Sequence, residues 1–343
     1  MKKTRIAVFG CGYWSQFQIG AWQEFADVEI VALYNRTRSR AEERARQFGI
    51  AQSFDDAGQL LATVDVDLVD IITDVDTHFR FVELAAQRGK HVICQKPMST
   101  SVRHACEMVR RCRDAGVKYY VHENYRWQPQ FRRIKHIIDA GTIGKPFRCR
   151  TAFNTAYPLF ETQPFLAQLE QFALTDQGSH QFDVLRFFFG EAESIYCATQ
   201  RVNPAIKGED VVTTLLKMKS GVTCIQEISF SSPLEQEVFP QTLLLIEGDQ
   251  GSIRLDPGLV IKTTIKTDTG SKTTSETVAL ERYAWQSERL TNEPPSIVAC
   301  NRNLLDDLRG RGEAETTGAD NLKTVELVYA AYDSARDNRV IRL

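Results

Sequence analysis

The segment Ile6-Ala-Val-Phe-Gly10-Cys-Gly12-Tyr-Trp-Ser15 constrains the fold of this chain more than any other. It is a short apolar run, typical of a buried strand, that leads into two glycines and then into a helical pattern. The first glycine permits a tight turn, the second lets the backbone approach a pyrophosphate, and the third position must be small where helix meets strand. Ser15 is small, although it is not the usual glycine or alanine. The segment predicts a βαβ unit that binds a dinucleotide at a helix N-terminus.

The first 122 residues alternate between strand-like and helical patterns. Strands are expected at 4–9, 29–34, 68–72, 91–94 and 117–121, and helices at 14–25, 38–48, 79–87 and 101–114. Strands that alternate with helices of this length indicate βαβ units and a parallel sheet. We therefore predict an N-terminal Rossmann dinucleotide-binding domain over residues 1–122.

The rhythm changes after residue 122. Helices are expected at 131–140 and 175–189, consecutive antiparallel strands from 193 to 280, a late helix at 321–336 and a short strand at 340–343. Asp249-Gln-Gly251 has the form of a hairpin turn. The predicted fold class is α/β, with a C-terminal α/β domain over residues 123–343 that contains a large, mostly antiparallel open sheet.

Composition excludes several classes of partner. The net charge of -2 offers no general attraction for nucleic acid or for an anionic membrane, and no apolar run reaches the length of about 18–20 residues that spans a bilayer. The eight cysteines form no C-x-x-C pair and no Cys/His cluster with zinc spacing, so we expect no metal site. The basic N-terminus leads into a strand and not into a longer apolar core, so we expect a cytoplasmic protein with reduced thiols.

The end of the second predicted strand decides between the two dinucleotides. An acidic residue about 20 residues beyond the glycines bonds the ribose hydroxyls of NAD, but Asn35-Arg36-Thr-Arg38 stands at this place. Asn35 can bond a ribose hydroxyl, yet it lacks the carboxylate that repels a 2′-phosphate. Arg36 and Arg38 could bind that phosphate, or they could form the solvated start of the next helix. The cofactor is therefore NAD or NADP.

Two further places carry reactive side chains. Lys96 follows a buried strand directly and precedes Pro97, at the edge where open α/β sheets bind ligands, although a plain loop gives the same pattern. Asp176 and His180 lie four residues apart on a predicted helix, so they share a face and can touch. A carboxylate beside an imidazole raises its basicity and orients the ring, which suits a general base, but a solvated pair is the alternative.

A polar and aromatic string follows the last strand of the first domain. Glu123, Arg126 and Trp127 are the residue types with which a protein lines a sugar-binding wall. The same string could serve as a hinge between the two domains.

In their order and spacing, these strings resemble the glucose–fructose oxidoreductase / inositol dehydrogenase / MocA (Gfo/Idh/MocA) family of oxidoreductases, over nearly the whole chain. The strings that carry the resemblance are Gly10-Cys-Gly12-Tyr-Trp, Thr73-Asp-Val-Asp-Thr-His78, Gly89-Lys-His-Val-Ile-Cys-Gln-Lys96-Pro97, Asn124-Tyr-Arg126-Trp-Gln-Pro129, Gly141-Thr-Ile-Gly144-Lys-Pro146, Asp176-x-x-x-His180-x-x-Asp183, Gly208-Glu-Asp210 and the helix Leu327–Ser334.

The resemblance implies a hydride transfer between the nicotinamide and a secondary alcohol or ketone of a sugar, cyclitol or related polyol. Lys96 matches the lysine of the family's E-K-P motif, and Asp176 and His180 match its D-x-x-x-H motif. By this resemblance His180 takes the hydroxyl proton, Lys96 polarises the same oxygen, and Asp176 bonds a neighbouring hydroxyl or tunes His180. The protein supplies geometry and proton transfer, and the cofactor supplies the hydride chemistry. The resemblance also implies a homodimer or homotetramer that forms through the large C-terminal sheet.

The resemblance also assigns binding residues. The expected cofactor contacts are Gly10, Gly12, Tyr13, Trp14, Asn35, Arg36, Thr73, His78, Gln95 and Asn124. The expected substrate contacts are Lys96, Glu123, Arg126, Trp127, Asp176 and His180. The chain departs from the family where the acidic residue of E-K-P is replaced by Gln95, which keeps a hydrogen-bond acceptor but removes a charge beside Lys96.

Two alternatives to a dehydrogenase remain open. Some relatives keep a bound NAD and act on glycosides or epimers by an internal redox cycle. A non-catalytic dinucleotide-binding sensor is the other alternative, although the presence of Lys96, Asp176 and His180 together argues against it. The sequence does not name the substrate, because specificity depends on loops, here expected around 154–163 and 201–208.

Overall fold

The computed structural model describes residues 3–287 and 290–343. Within that part of the chain two compact units form, one from Met1–Asn124 with Glu281–Val325 and the other from Tyr125–Leu280 with Glu326–Leu343. Each unit contains its own sheet.

The first unit is built on a parallel sheet of six strands. The strands are β1 Thr4–Phe9, β2 Val28–Tyr34, β3 Ser53–Phe54, β4 Leu68–Ile71, β5 His91–Gln95 and β6 Tyr119–His122, and the helices are α1 Ser15–Gln23, α2 Arg38–Phe48, α3 Ala57–Thr63, α4 His78–Gln87 and α5 Val102–Asp114. The strand order is β3-β2-β1-β4-β5-β6, with every pairing parallel. The central strands are almost continuously buried and apolar, as in a sheet covered on both faces. The predicted Rossmann fold is confirmed.

The order in which strands are added to this sheet reverses at β1. Strands β2 and β3 lie on one side of β1, and β4, β5 and β6 lie on the other. Open α/β sheets bind ligands beyond the carboxyl ends of the strands at such a switch point. Gly10, Thr73 and Lys96 follow the carboxyl ends of β1, β4 and β5. The topology therefore places these three residues along one edge of the sheet.

The second unit is built on a sheet of nine strands. Its elements are α6 Pro129–Asp139, β7 Pro146–Asn154, α7 Leu159–Thr162, α8 Ser179–Phe189, β8 Ala192–Gln200, β9 Val211–Met218, β10 Thr223–Ser229, β11 Leu243–Gly248, β12 Gly251–Asp256, β13 Val260–Thr267, β14 Gly270–Thr277 and β15 Ile341–Arg342. The order is β14-β13-β12-β11-β7-β10-β9-β8-β15. Among the described strands of this second sheet only the β7–β10 pairing is parallel, so the predicted mostly antiparallel sheet is confirmed.

Strand β7 was not predicted, because charged side chains conceal its alternation. Arg148 and Arg150 point to the exposed face, where they pair with Glu247 and Glu227 on the neighbouring strands. The opposite face of the sheet is apolar and carries the core of this unit, which includes Phe131, Phe153, Phe172 and Phe182.

The last helices divide between the two units. Helix α9 spans Glu293–Leu308, and α10 spans Gly318–Asp337 and contains the residue at which the two units separate. The predicted boundary assigned everything from residue 123 onwards to one domain, whereas the structure groups Glu281–Val325 with the first unit. The physical reason is a contact of α9 with α1, in which Ile297 is fully buried against Phe17 and Ala21. No helix in the described ranges has the length and apolarity of a membrane span.

The docking of α9 on α1 predicts a large effect of truncating Ile297. We expect Ile297→Ala to lower the free energy of unfolding by about 2–4 kcal/mol, because it removes a fully buried side chain and leaves a cavity. Val298→Ala on the same helix is the control, since Val298 is only partly buried, and it should cost less than about 1.5 kcal/mol. Urea denaturation measures both. Equal losses in the two variants would contradict the packing of α9 on this unit.

Candidate active site

The two glycines of the loop differ in the space around them: a side chain would clash at Gly10, whereas the space around Gly12 is open. Gly10 has a φ of +105°, and a Cβ at this position would lie 2.5 Å from the carbonyl oxygen of Ile72. A Cβ on Gly12 would meet no described atom within 4 Å. Packing inside the unit therefore explains why residue 10 is glycine but not why residue 12 is. Close approach of a dinucleotide phosphate to the backbone explains the second glycine, so the loop fits this cofactor.

Two polar side chains brace the loop. The fully buried hydroxyl of Ser15 donates to the carbonyl oxygen of Gly12 at 2.7 Å, so the small residue that the motif requires also has its donor satisfied. The amide oxygen of Asn35 accepts from the backbone N–H of Cys11 at 3.2 Å, and its nitrogen donates to the carbonyl of Thr37 at 3.1 Å. Asn35 thus ties the end of β2 to the loop, and its bond to a ribose hydroxyl stays a prediction.

The remaining cofactor candidates near the loop are aromatic or exposed. Tyr13 and Trp14 each pack against Phe17 with ring centroids 5.4 Å apart. The guanidinium of Arg36 is exposed and lies 3.6 Å from the carboxylate of Asp74.

His78 joins the loop after β4 to the loop that carries Lys96. Its ring is 1% exposed, with Nε2 3.1 Å from the carbonyl oxygen of Thr73 and Nδ1 3.1 Å from that of Pro97. Burial lowers the pKa of His78, while the carbonyl contacts act in the opposite direction. The ring therefore lies between the two loops, and in its neutral form it donates to only one of the two carbonyls.

Gln95 holds the backbone of Lys96. Its side-chain oxygen accepts from the N–H of Lys96 at 2.9 Å, and its side-chain nitrogen donates to the amide oxygen of Gln18 at 2.9 Å. Gln95 is 8% exposed, so these bonds are largely shielded from water. The residue that departs from the family motif is therefore part of an ordered network.

In the second unit, His180 lies in the first turn of α8, 5% exposed. Its ring stacks on that of Tyr125, with centroids 3.8 Å apart and planes at 9°. The position of Tyr125 is secured by its neighbour Arg126, whose guanidinium makes two hydrogen bonds of 2.7 and 2.6 Å to the buried carboxylate of Asp183 on α8. Bidentate pairing of this kind fixes orientation as well as distance. The plane of the His180 ring is thus set by a contact from outside its own helix.

Asp176 lies just before α8 and not within it. The predicted helix over 175–189 begins instead as a π-helical turn, Leu174–Gly178, and becomes α-helical at Ser179. Such turns are frequent at functional sites. The carboxylate of Glu209 accepts from the backbone N–H groups of Phe172 and Leu174 and from the hydroxyl of Tyr332, and so holds the start of this turn. Contact between Asp176 and His180 stays a prediction.

The string after β6 is mostly buried. Glu123 is fully buried, and Asn124, 2% exposed, donates to the hydroxyl of Ser296 at 2.6 Å. Trp127 is partly buried, and the guanidinium of Arg132 lies 3.5 Å from its ring centroid. Substrate contacts from Glu123, Arg126 and Trp127 stay predictions. Among the described residues, no group of three or more His, Cys, Asp or Glu side chains is arranged to hold a metal ion.

Sequence reasoning did not select Gln18, Asp70, Tyr125 or Asp183. Asp70 carried a detectable signal, because a charged residue in the middle of an apolar strand is rarely buried without a role. Asp183 stood in the strings that carried the resemblance, without an assigned contact. Tyr125 also stood in one of these strings without an assigned contact, whereas no local pattern marks Gln18, because its partners Asp70 and Gln95 lie 52 and 77 residues away.

Comparison with known families agrees with this geometry. Residues 4–123 match the Gfo/Idh/MocA oxidoreductase family with an NAD-binding Rossmann fold, and residues 131–254 match the Gfo/Idh/MocA C-terminal domain. The chain belongs to this family. The resemblance stated from the sequence is confirmed, and with it the class of NAD(P)-dependent dehydrogenase.

Individual members of the family are similar to this chain over nearly its whole length. It is 40% identical to a D-apiose dehydrogenase of Paraburkholderia graminis over 343 residues, covering 100% of this chain and 90% of the relative. It is 39% identical to a D-apiose dehydrogenase of Rhizobium rhizogenes, covering 99% and 98%. Among solved structures, an oxidoreductase from Agrobacterium radiobacter in complex with NAD+, L-tartaric acid and magnesium matches with a TM-score of 0.96 and 38% identity, covering 99% and 98%.

Substitution by alanine should have different effects at the two glycines: a loss of stability at Gly10 and a loss of NAD affinity at Gly12. We expect Gly10→Ala to lower the free energy of unfolding by about 1–3 kcal/mol in the absence of cofactor, because of its positive φ and the Ile72 carbonyl. Gly12→Ala should change that free energy by less than about 0.5 kcal/mol, yet raise the dissociation constant of NAD about tenfold or more, because the methyl group occupies the phosphate's space. Denaturation and calorimetric titration measure the two quantities. Normal NAD affinity in Gly12→Ala would contradict the assigned phosphate site.

Proposed function

We propose that this chain is an NAD-dependent dehydrogenase of a sugar or related polyol, and that D-apiose or a close structural analogue is its substrate. The observation that carries the proposal is the 40% identity, over all 343 residues, to a protein named D-apiose dehydrogenase. The presence of Lys96, Asp176 and His180, which match the family's motifs, supports turnover over a sensor role.

The proposed chemistry divides between proton transfer and positioning. His180 accepts the proton of the substrate hydroxyl, and its ring keeps one orientation because it stacks on Tyr125. The ammonium group of Lys96 donates a hydrogen bond to the substrate oxygen and stabilises negative charge that develops there. Asp176 accepts a hydrogen bond from a neighbouring hydroxyl. The bound nicotinamide supplies the hydride acceptor.

The contacts of the two arginines favour NAD over NADP. Arg36 lies beside Asp74, and Arg38 donates to Glu42 at 3.0 Å with Asp55 3.6 Å away. These exposed pairs are individually weak, but a 2′-phosphate brought to either arginine would approach a carboxylate as well. Asp74, Glu42 and Asp55 therefore repel the 2′-phosphate of NADP in part, as an acidic residue at the position of Asn35 would do.

The compartment and the excluded partners are inferred from the thiols and the charge. Free cysteines account for all eight in the chain, seven of them buried. Reduced buried thiols fit a cytoplasmic protein. With a net charge of -2, we propose no nucleic-acid or membrane partner.

The exposed face of the nine-stranded sheet supports a homodimer or homotetramer. Leu215 on β9 is 49% exposed, and through its neighbour Ile225 on β10 it lies on the same face as Arg150 on β7. We expect Leu215→Asp to lower the molar mass in solution by weakening association, since a buried unpaired charge is costly at an interface. Ser275→Asp in the exposed strand β14 is the control. An unchanged mass in Leu215→Asp, or a monomeric wild type, would remove this face as the interface.

The proposed reaction is tested by absorbance of the reduced nicotinamide. The purified chain is incubated with NAD or NADP and with D-apiose, inositols, hexoses, sugar acids and glycosides. We expect D-apiose with NAD to give the highest kcat/KM. Conversion of a substrate without net absorbance change would indicate a retained cofactor, and NAD binding without any conversion would indicate a sensor. Either result would contradict the dehydrogenase.

Two variants assign the proton transfer. We expect Lys96→Ala and His180→Ala each to lower kcat by about 100-fold or more, the usual contribution of a positioned acid or base. The dissociation constant of NAD should stay within about threefold of wild type in both, because neither side chain is assigned to the dinucleotide phosphates. Rates close to wild type in both variants would show that these residues do not handle the proton.

A further inference from the structure

Asp70 is a fully buried carboxylate that the proposed chemistry does not use. It lies in the middle of β4, with 0% exposure, between the apolar residues Val69 and Ile71. Both of its oxygens accept from the side-chain nitrogen of Gln18, at 2.8 and 2.9 Å, and Oδ2 also accepts from the indole N–H of Trp22 at 2.8 Å. Burial raises the pKa of Asp70 to about 7, and the hydrogen bonds from Trp22 and Gln18 oppose that rise.

The hydrogen bonds that start at Asp70 run in one direction and end at Lys96. An ionised carboxylate only accepts, so it must face the nitrogen of the Gln18 amide. The oxygen of Gln18 then faces away and accepts from the nitrogen of Gln95 at 2.9 Å. The oxygen of Gln95 in turn accepts from the backbone N–H of Lys96 at 2.9 Å. The charge at Asp70 thereby selects the orientation of both amides.

This network also accounts for the departure from the family motif. The acidic residue of E-K-P is Gln95 in this chain, yet a carboxylate lies two hydrogen bonds away in Asp70. We propose that Asp70, acting through Gln18 and Gln95, is a positioning residue that holds Lys96 in place of the carboxylate that the family carries at position 95. The proposal rests on the proposed function, in which Lys96 contacts the substrate.

Removal of the charge by Asp70→Asn reverses this series of hydrogen bonds. The new amide can accept from Trp22 through its oxygen, but its nitrogen then faces the nitrogen of Gln18. The oxygen retained at the Oδ2 position can still accept from Gln18, but the new nitrogen stands at the Oδ1 position, 2.8 Å from the Gln18 nitrogen. Two donors repel at that distance, and we expect Gln18 to relieve the repulsion by turning its oxygen to position 70 and its nitrogen to Gln95. Gln95 must then turn its oxygen to Gln18, which leaves its nitrogen facing the N–H of Lys96. Asp70→Asn therefore breaks the bond to Lys96 although it preserves the size of the side chain.

The reversed series becomes complete if Gln95→Glu is added to Asp70→Asn. The new carboxylate at position 95 can accept from both Gln18 and the N–H of Lys96, while Gln18 accepts from the new amide at position 70 and that amide accepts from Trp22. In the presence of Asp70, however, Gln95→Glu places two buried carboxylates on either side of one amide, and one of them loses its donor. The two substitutions should therefore each be harmful alone and compatible together.

The test uses the full chain at alkaline pH, where Asp70 is ionised. We compare wild type, Asp70→Asn, Gln95→Glu and the double variant, and measure kcat, KM for the substrate and for NAD, and melting temperature. Trp22→Phe is the control, because it removes one donor to Asp70 without reversing the hydrogen bonds.

We expect each single variant to lower kcat by roughly 10- to 100-fold, since small displacements of a positioned group have effects of this size. KM for NAD should change little. The double variant should regain kcat to within about threefold of wild type, a strongly non-additive result that neighbours in one network can show. It should also melt at a higher temperature than Gln95→Glu. Trp22→Phe should lower the melting temperature and leave kcat within about threefold of wild type.

Three results would overturn the proposal. The first is an unchanged kcat in Asp70→Asn. The second is a kcat of the double variant that is no higher than the kcat of the less active single variant. The third is restoration of melting temperature without restoration of kcat, which would make the network purely structural. A wild type inactive on every alcohol would instead contradict the proposed function, and the melting temperatures would still decide the direction of the hydrogen bonds without any turnover.

Discussion

The contact between Gly10 and the carbonyl oxygen of Ile72 is the constraint on which the rest of the first unit depends. It brings the end of β1 against the end of β4, so that no side chain fits between them. The two strands are neighbours at the switch point, and the loops that follow them open on the same edge of the sheet. The phosphate loop, Thr73 and, one strand further on, Lys96 share this edge because β4 and β5 also pair in register. The absence of a Cβ at Gly10 thus permits the close approach of the phosphate loop to the loop after β4, and the β4–β5 pairing places Lys96 beside them.

Local chemistry explains how much of this fold could be predicted from sequence. The bounds of β1 and α2 agree with those predicted, because apolar runs and helical charge patterns are properties of adjacent residues. Strand β7 and helix α9 were missed for the opposite reason. The arginines of β7 are balanced by glutamates 99 and 77 residues away, and α9 finds its apolar partner on α1 at the other end of the chain. Neither partnership leaves a periodic signal in the segment itself.

The candidate site divides in the same way. The glycines and the lysine after β5 are recognisable because topology alone assigns them to the carboxyl edge of a sheet. The plane of His180 depends instead on Tyr125, and Tyr125 depends on the Arg126–Asp183 pair, whose members are 57 residues apart. Spacing within one helix suggested Asp176 as the partner of His180, whereas the described stacking partner comes from a separate segment. A motif identifies a reactive group, but its orientation is set by residues that the motif does not contain.

The buried carboxylates of Asp183 and Asp70 differ in the groups that bind them. Asp183 faces the guanidinium of Arg126, so its charge is balanced. The bonds to Asp70 come from neutral donors, Gln18 and Trp22, and its pKa in the folded chain is about 7 against 3.8 as the reference. Because the folded state holds this proton more tightly, the contribution of Asp70 to stability falls as pH rises between those two values, by about 4 kcal/mol in total. An apolar residue in the middle of β4 would avoid that cost. The ionised carboxylate therefore lowers the free energy of unfolding at neutral pH and above. The proposed positioning role accounts for its presence in β4 despite this loss, because its charge sets the direction of the hydrogen bonds that lead to Lys96.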